Sequence, residues 1–201
     1  LPLLRKIALL LLNKLLTITL AFSCLFSQQL CAQQIQLSPS DDLQQALDSS
    51  QNGDVITLSP GSYLGNFVIS KQITLRSDQD KSAIIDAQGK GHALQLKNAH
   101  ITIENLTITN WGDDLTEQNS GIYSHDKIDN NKVPGLIIRN NHLIGDGFGI
   151  WINHVDKAKI INNRVKGNLT LRSADRGNGI QVANVTNIHV FNNEISETRD
   201  G

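Results

Sequence analysis

The residues able to do chemistry are few and scattered. Six histidines occur, His92, His100, His125, His142, His154 and His189, and none is spaced from another as metal ligands are. Two candidate groupings remain, His125 with Asp126, and His142 with His154, each needing loops to converge. Paired carboxylates for acid–base work, or an acid beside a base, reduce to Asp113 with Asp114 and to Asp175 near Arg172 and Arg176. Neighbouring side chains diverge on an extended chain, so Asp113 and Asp114 read as structural charge rather than as an acid–base pair. No phosphate-binding loop, nucleotide fingerprint or Ca²⁺-binding nonapeptide is present. A formal net charge of −1 gives no basic excess for nucleic acid.

The elements that must carry these residues follow from composition and repetition. The 201 residues contain 23 Ile and 20 Asn, with aromatics at only 4%. Abundant Ile argues against disorder, and Asn and Gly argue against a helical bundle. Short β-branched runs between Asn and Gly turns remain. One unit reads Leu136-Ile137-Ile138-Arg139-Asn140-Asn141-His142-Leu143; others run Lys159–Val165 and Ile188–Ile195, with a looser copy at Ile101–Ile108. Between them recur Gly121-Ile122-Tyr123, Gly149-Ile150-Trp151 and Gly179-Ile180-Gln181, spaced by 28 and 30 residues. Such a period signals a solenoid, and strands of four or five residues make it an all-β, parallel β-helix.

Alternate residues then point inward. Ile101, Ile103, Leu106 and Ile108 are expected in ladders with Ile122, Ile150, Ile152, Ile180, Leu143, Val165 and Ile195. Asn suits the left-handed corner residue, and stacked Asn side chains can hydrogen-bond along the ladder. Outward, His142, Arg164 and Glu194 share a column, as do Tyr123, Trp151 and Gln181. Aromatics in a row suggest a partner-binding or sugar-binding face unless a loop packs over them. The insertions Trp111–Ser120, Ser124–Pro134 and Lys166–Asn178 add partner-binding candidates on a rigid scaffold, Asp113, Asp114, Arg172, Asp175 and Arg176 among them. A short helix over Leu43–Leu47, with Ser40 as N-cap, sits where the open end of the solenoid needs covering.

Residues 1–32 form a separate object. Arg5, Lys6 and Lys14 precede an apolar run from Leu15 to Phe26, too short for a membrane span and suited to a signal peptide cleaved near Ala32. The mature domain, 33–201, then keeps fifteen basic and nineteen acidic residues, a net charge of −4, and neither Cys nor Met. It ends at a turn where another Gly-Ile strand is due, which reads as the first coils of a longer solenoid.

Several motifs together resemble a known family. They are Leu43-Gln44-Gln45-Ala46-Leu47, Gly53-Asp54-Val55-Ile56, Pro60-Gly61-Ser62-Tyr63, Asp113-Asp114-Leu115-Thr116, Gly147-Phe148-Gly149-Ile150-Trp151, Arg176-Gly177-Asn178-Gly179-Ile180 and Thr198-Arg199-Asp200-Gly201. Nearly the whole of 33–201 resembles the periplasmic NosD family of nitrous oxide reductase maturation. The resemblance implies a right-handed, pectate-lyase-like β-helix exported to the periplasm, without catalytic activity. It implies as partners an inner-membrane ABC transporter permease with its ATPase, a copper chaperone and nitrous oxide reductase. Copper is the metal it brings into play, with no ligand set assigned. Cu(I) prefers sulfur, which 33–201 lacks, so the histidines read as solvated surface. Other readings are a secreted carbohydrate-active β-helix, a polysaccharide lyase or hydrolase using Asp113 or Arg176, and a structural adhesin.

Overall fold

The computed structural model describes residues 32–124 and 133–200. Strand β1 (Gln34–Leu37) and helix α1 (Leu43–Ser49) come first. Three strands then recur per coil: β2 (Val55–Leu58), β3 (Gly61–Leu64) and β4 (Phe67–Ile69); β5 (Thr74–Ser77), β6 (Ala83–Asp86) and β7 (Leu94–Leu96); β8 (Thr102–Glu104), β9 (Thr107–Thr109) and β10 (Ser120–Ser124). After the short β11 (Val133–Pro134) come β12 (Ile137–Arg139), β13 (His142–Ile144) and β14 (Phe148–Asn153). The short β15 (Val155–Asp156) leads to β16 (Lys159–Ile161), β17 (Arg164–Lys166) and β18 (Ile180–Ala183), and β19 (His189–Phe191) and β20 (Glu194–Ser196) follow.

Each strand pairs in parallel with its counterpart one coil away. This makes a first wall β1-β2-β5-β8-β12-β16-β19, a second β3-β6-β9-β13-β17-β20 and a third β4-β7-β10-β14-β18, with β11 paired to β15 at a corner. The β-helix expected from the repeat is the architecture observed.

Inward positions stack in register. The first wall contributes Ile56, Leu75, Ile103, Ile138 and Ile160, the second Tyr63, Ile85, Ile108, Leu143 and Val165, and the third Phe67, Leu94, Ile122 and Ile150. All are buried. Each such aliphatic side chain contributes roughly 1.5–3 kcal/mol on burial, so the columns form a core without a disulfide. Ile180 and Ile195 hold the expected register but are half-buried, because no described coil stacks beyond them.

The Asn-Asn pairs divide their labour. The first Asn of each takes the left-handed corner, with φ of 58° at Asn140, 56° at Asn162 and 55° at Asn192. The second turns its side chain inward. Asn141 and Asn163 are buried, and the Asn141 backbone N–H and Nδ2 both donate to Asn163 Oδ1 at 3.0 Å. Asn163 treats Asn193 the same way, at 2.9 and 3.0 Å. Asn141 Nδ2 also donates to Ile103 O, and Asn163 Nδ2 to Ile138 O. The ladder therefore satisfies its own polar groups inside the apolar core.

Three expectations need correction. The helix is capped by Asp42, whose Oδ1 accepts from Gln45 N–H at 2.9 Å, and it runs to Ser49. Ser40 lies two residues too early and pairs with Ser38 Oγ instead. Trp111 does not open a surface insertion: it is 3% exposed, and its ring fills a slot where a Cβ at Gly145 would collide with the indole. The insertions are also shorter than expected, because Ser120 and Ser124 bound β10, Pro134 lies in β11 and Lys166 in β17.

The Gly-Ile strands have a steric reason. A Cβ on Gly149 would strike Val165 Cγ1 and the Gly179 carbonyl oxygen, so only glycine lets the coils close at that corner.

Helix α1 closes the third wall with more than bulk. Leu43 and Leu47 are buried over the end of the core. Gln44 Nε2 donates to Val68 O at 3.1 Å, and Gln44 Oε1 accepts from Val68 N–H at 2.9 Å. One side-chain amide thus stands in for a neighbouring strand on the edge of β4.

Candidate functional site

The outer face of the third wall carries the column Val68, Gln95, Tyr123, Trp151 and Gln181, in the register expected for its last three members. The row is partly clothed rather than open. His92 stacks on Tyr123 with centroids 3.8 Å apart, and Phe148 meets Trp151 edge-on at 4.6 Å. The Tyr123 hydroxyl donates to Gln118 Oε1 at 3.3 Å. Burial pulls the His92 pKa down to about 4, so the imidazole in the stack is neutral at pH 7. Sequence reasoning missed His92 because it precedes β7 and shares no column with Tyr123.

The outer face of the second wall holds the column Thr107, His142, Arg164 and Glu194. Arg164 pairs with Glu194 at 3.3 Å, and Lys166 with Glu197 at 3.4 Å. His142 has its pKa lowered, first by burial and then by the Arg164 and Lys81 charges, with Glu194 acting the other way. A cation-rich surround disfavours a metal ion at this imidazole. His154 lies between β14 and β15, off the second wall, so the coils do not unite it with His142. His125 and Asp126 lie outside the described residues. Among the described residues no three His, Cys, Asp or Glu side chains converge as a metal site would require.

The charged candidates mostly build loops. Asp114 Oδ1 accepts from the backbone N–H of Thr116 and Glu117 at 2.8 and 3.1 Å, while Asp113 is exposed. Arg172 Nε and Nη2 reach the two Asp175 carboxylate oxygens at 2.7 and 3.2 Å across a short 3₁₀ turn, Ser173–Asp175. Arg176 donates to the carbonyls of Leu171 and Leu169. The arginines therefore fold their own loop. On the first wall, Arg139 Nε donates to the buried carboxylate of Glu104 at 2.5 Å, an outward ion pair one coil apart that the sequence did not flag.

This geometry sets the comparison with known proteins. Residues 76–201 match the family model described as the right-handed β-helix region. The chain belongs to the right-handed β-helix family. It is similar to a protein described as "Probable ABC transporter binding protein NosD" from Pseudomonas aeruginosa, 39% identical over 145 residues that cover 72% of this chain and 32% of that protein. A protein of the same description from Stutzerimonas stutzeri is 32% identical over 144 residues, covering 72% of this chain and 31% of the relative. The chain is NosD-like and spans about a third of the length of these relatives. Among solved structures, an alginate lyase from a Paenibacillus species is 18% identical, with a TM-score of 0.46 over 79% of this chain and 58% of that one.

Proposed function

We propose that this chain is the β-helix part of an accessory protein that docks on an ABC transporter on the outer side of the inner membrane. The observation that carries the reading is its 39% and 32% identity to proteins described as probable ABC transporter binding proteins. In this reading residues 1–32 are a cleaved leader and 33–201 work in the periplasm. In the same reading ATP is hydrolysed by the transporter's ATPase, and the 201 residues contain no phosphate-binding loop.

The finer reading is that the system serves assembly of the copper centres of nitrous oxide reductase, with a copper chaperone as a further partner. Copper is cargo there, and its thiolate or thioether ligands lie outside residues 33–201, on a partner or in further coils of a longer chain, because residues 33–201 contain no sulfur. The protein's own contribution is a stiff scaffold presenting the Tyr123–Trp151 face and the Arg172–Arg176 loop. No catalytic role is assigned to Asp113, Asp114, Asp175 or Arg176, of which Asp114, Asp175 and Arg176 are bonded into loop structure.

The test is a cross-linked pull-down of the tagged full chain from membranes of the producing cell. Recovery of a permease and an ATPase is the expected result, and their absence overturns the reading. Turnover of a uronic-acid polymer by the purified chain would overturn it equally, in favour of the carbohydrate-active alternative.

A further inference from the structure

The three walls end differently at the helix-bearing end. The first wall is extended by β1, which pairs Gln34 with Val55 through Leu37 with Leu58. The third is closed by the Gln44 amide on Val68. The second ends at β3, which pairs with β6 on one side and with no described strand on the other.

The free side of β3 can be read from its bonded side. Gly61 N–H donates to Ser82 O and Gly65 N–H to Asp86 O, both toward β6. In a parallel strand, N–H and C=O of one residue point the same way and alternate along the chain. Gly61, Tyr63 and Gly65 therefore face β6. The main-chain groups of Ser62 and Leu64 face outward, with no hydrogen-bond partner among the described residues. Leu64 is 59% exposed.

A groove of about 350 Å³ lies along this strand, lined by Asp41, Asp42, Leu43, Tyr63, Leu64 and Phe67 among others. Pro39, Leu43, Tyr63 and Phe67 make its apolar side, with Pro39 against Gly61 at the start of β3, and Asp41 and Asp42 give it an acidic rim. Asp41 is fixed by the Ser38 N–H and hydroxyl, and Asp42 by capping α1. Neither carboxylate has a Lys, Arg or His partner among the described residues. Unsatisfied strand donors and acceptors ask for another strand, the apolar side for an aliphatic side chain, and the rim for a cation.

We infer that the free edge of β3 binds an extended, basic segment of a partner polypeptide, which adds there as one more strand of the second wall. Alternation places every second side chain of the segment toward Leu43, Tyr63 and Phe67, and the intervening cationic ones at Asp41 and Asp42. The site is remote in the fold from the Tyr123–Trp151 face and does not depend on the transporter reading.

The experiment uses the full chain and a capped hexapeptide of alternating valine and lysine. Hydrogen exchange at the amides of Ser62 and Leu64 is expected to slow by about tenfold on saturation, the equivalent of one new hydrogen bond each. The same peptide N-methylated at alternate residues is expected to bind about tenfold more weakly, since it loses the strand donors. Asp42→Asn keeps the helix cap, because Asn caps as well as Asp, and is expected to weaken binding several-fold. Ser62→Pro removes an N–H that faces away from β6, which an edge strand tolerates, and is expected to abolish the slowing. Should that variant fail to fold, the N-methylated peptide decides. Equal binding of the N-methylated peptide, equal binding of an alternating valine–glutamate peptide, or concentration-dependent protection of Ser62 without any peptide would each overturn the inference, the last by assigning the edge to a second copy.

Discussion

Asn163 shows how a polar residue comes to hold an apolar core together. Its Oδ1 accepts two bonds from Asn141, and its Nδ2 donates to Ile138 O and Asn193 Oδ1. Asn163→Ala would leave the buried Asn141 backbone N–H without its acceptor, the Asn141 amide with one of its two donor bonds, and Ile138 O without its side-chain donor, an orphaned buried group costing about 1–3 kcal/mol. Urea denaturation is expected to show a loss of about 3 kcal/mol or more. The neighbouring Asn162 does a different job, and its variants separate by backbone instead. With φ of 56°, Asn162→Gly is expected to be near neutral, while Asn162→Val loses about 1–2 kcal/mol in the same assay. His92 adds a pH dependence. Folding holds its imidazole neutral, so on acidification the unfolded chain binds a proton at 6.5, before the folded one does at about 4. The contribution to stability is whole above pH 6.5 and is lost as the pH falls toward 4. Thermal melts across that window should decline, and in His92→Phe, which keeps a ring against Tyr123, the decline should shrink. His142 is lowered in the same direction and adds to the slope with the same sign.

At the scale of elements, helix α1 is a lid whose bonds are specific. Gln44→Leu keeps the helix but leaves Val68 N–H and C=O without a partner. It is expected to cost about 1–2 kcal/mol and to speed exchange at the Val68 amide, whereas Gln45→Leu, the next residue and about 100° round the helix from that bond, should not. Gly149→Ala tests the corner. Its Cβ would meet the Gly179 carbonyl as well as Val165, so Val165→Ala should rescue only part of a loss of about 1–3 kcal/mol. These elements also mark what the sequence made legible. The inward columns could be read because each coil repeats the same short pattern, and register then follows from stacking. The helix was legible, but its cap was read as Ser40, and only the bond from Gln45 N–H assigns that role to Asp42. Trp111 looked like the start of a loop because Gly112, Asp113 and Asp114 follow it. Its burial depends on Gly145, more than thirty residues downstream, and no local pattern reports that. The same non-locality hid the Glu104–Arg139 pair and the His92–Tyr123 stack, each made between neighbouring coils.

Over the whole molecule, stability is a sum of coils and of the contacts between neighbours, because each strand pairs only with the strands directly before and after it in its wall. A coil in the middle has two such neighbours, and those at the ends of the described stack have one. The inward first-wall column shows the consequence: Ile103, Ile138 and Ile160 are 0% exposed, while Val190, which continues the same column, is 45% exposed. Opening of β19 and β20 therefore uncovers little, whereas opening of β8 and β12 must break pairs on both sides and uncover the buried columns. Native-state hydrogen exchange on this chain is expected to grade along the axis, with the slowest amides in β8, β9, β12 and β13, and the fastest in β19 and β20. The Asn ladder should make that gradient steeper between the β13 and β20 coils than its aliphatic burial alone would, since Asn141, Asn163 and Asn193 couple three successive turns. Asn163→Ala then has a signature that a simple local defect would lack. Exchange should quicken at β17 and beyond while β5 and β6 keep their wild-type rates. A uniform increase across all coils would instead mean that the solenoid opens as one cooperative unit, and that the coil-by-coil description fails.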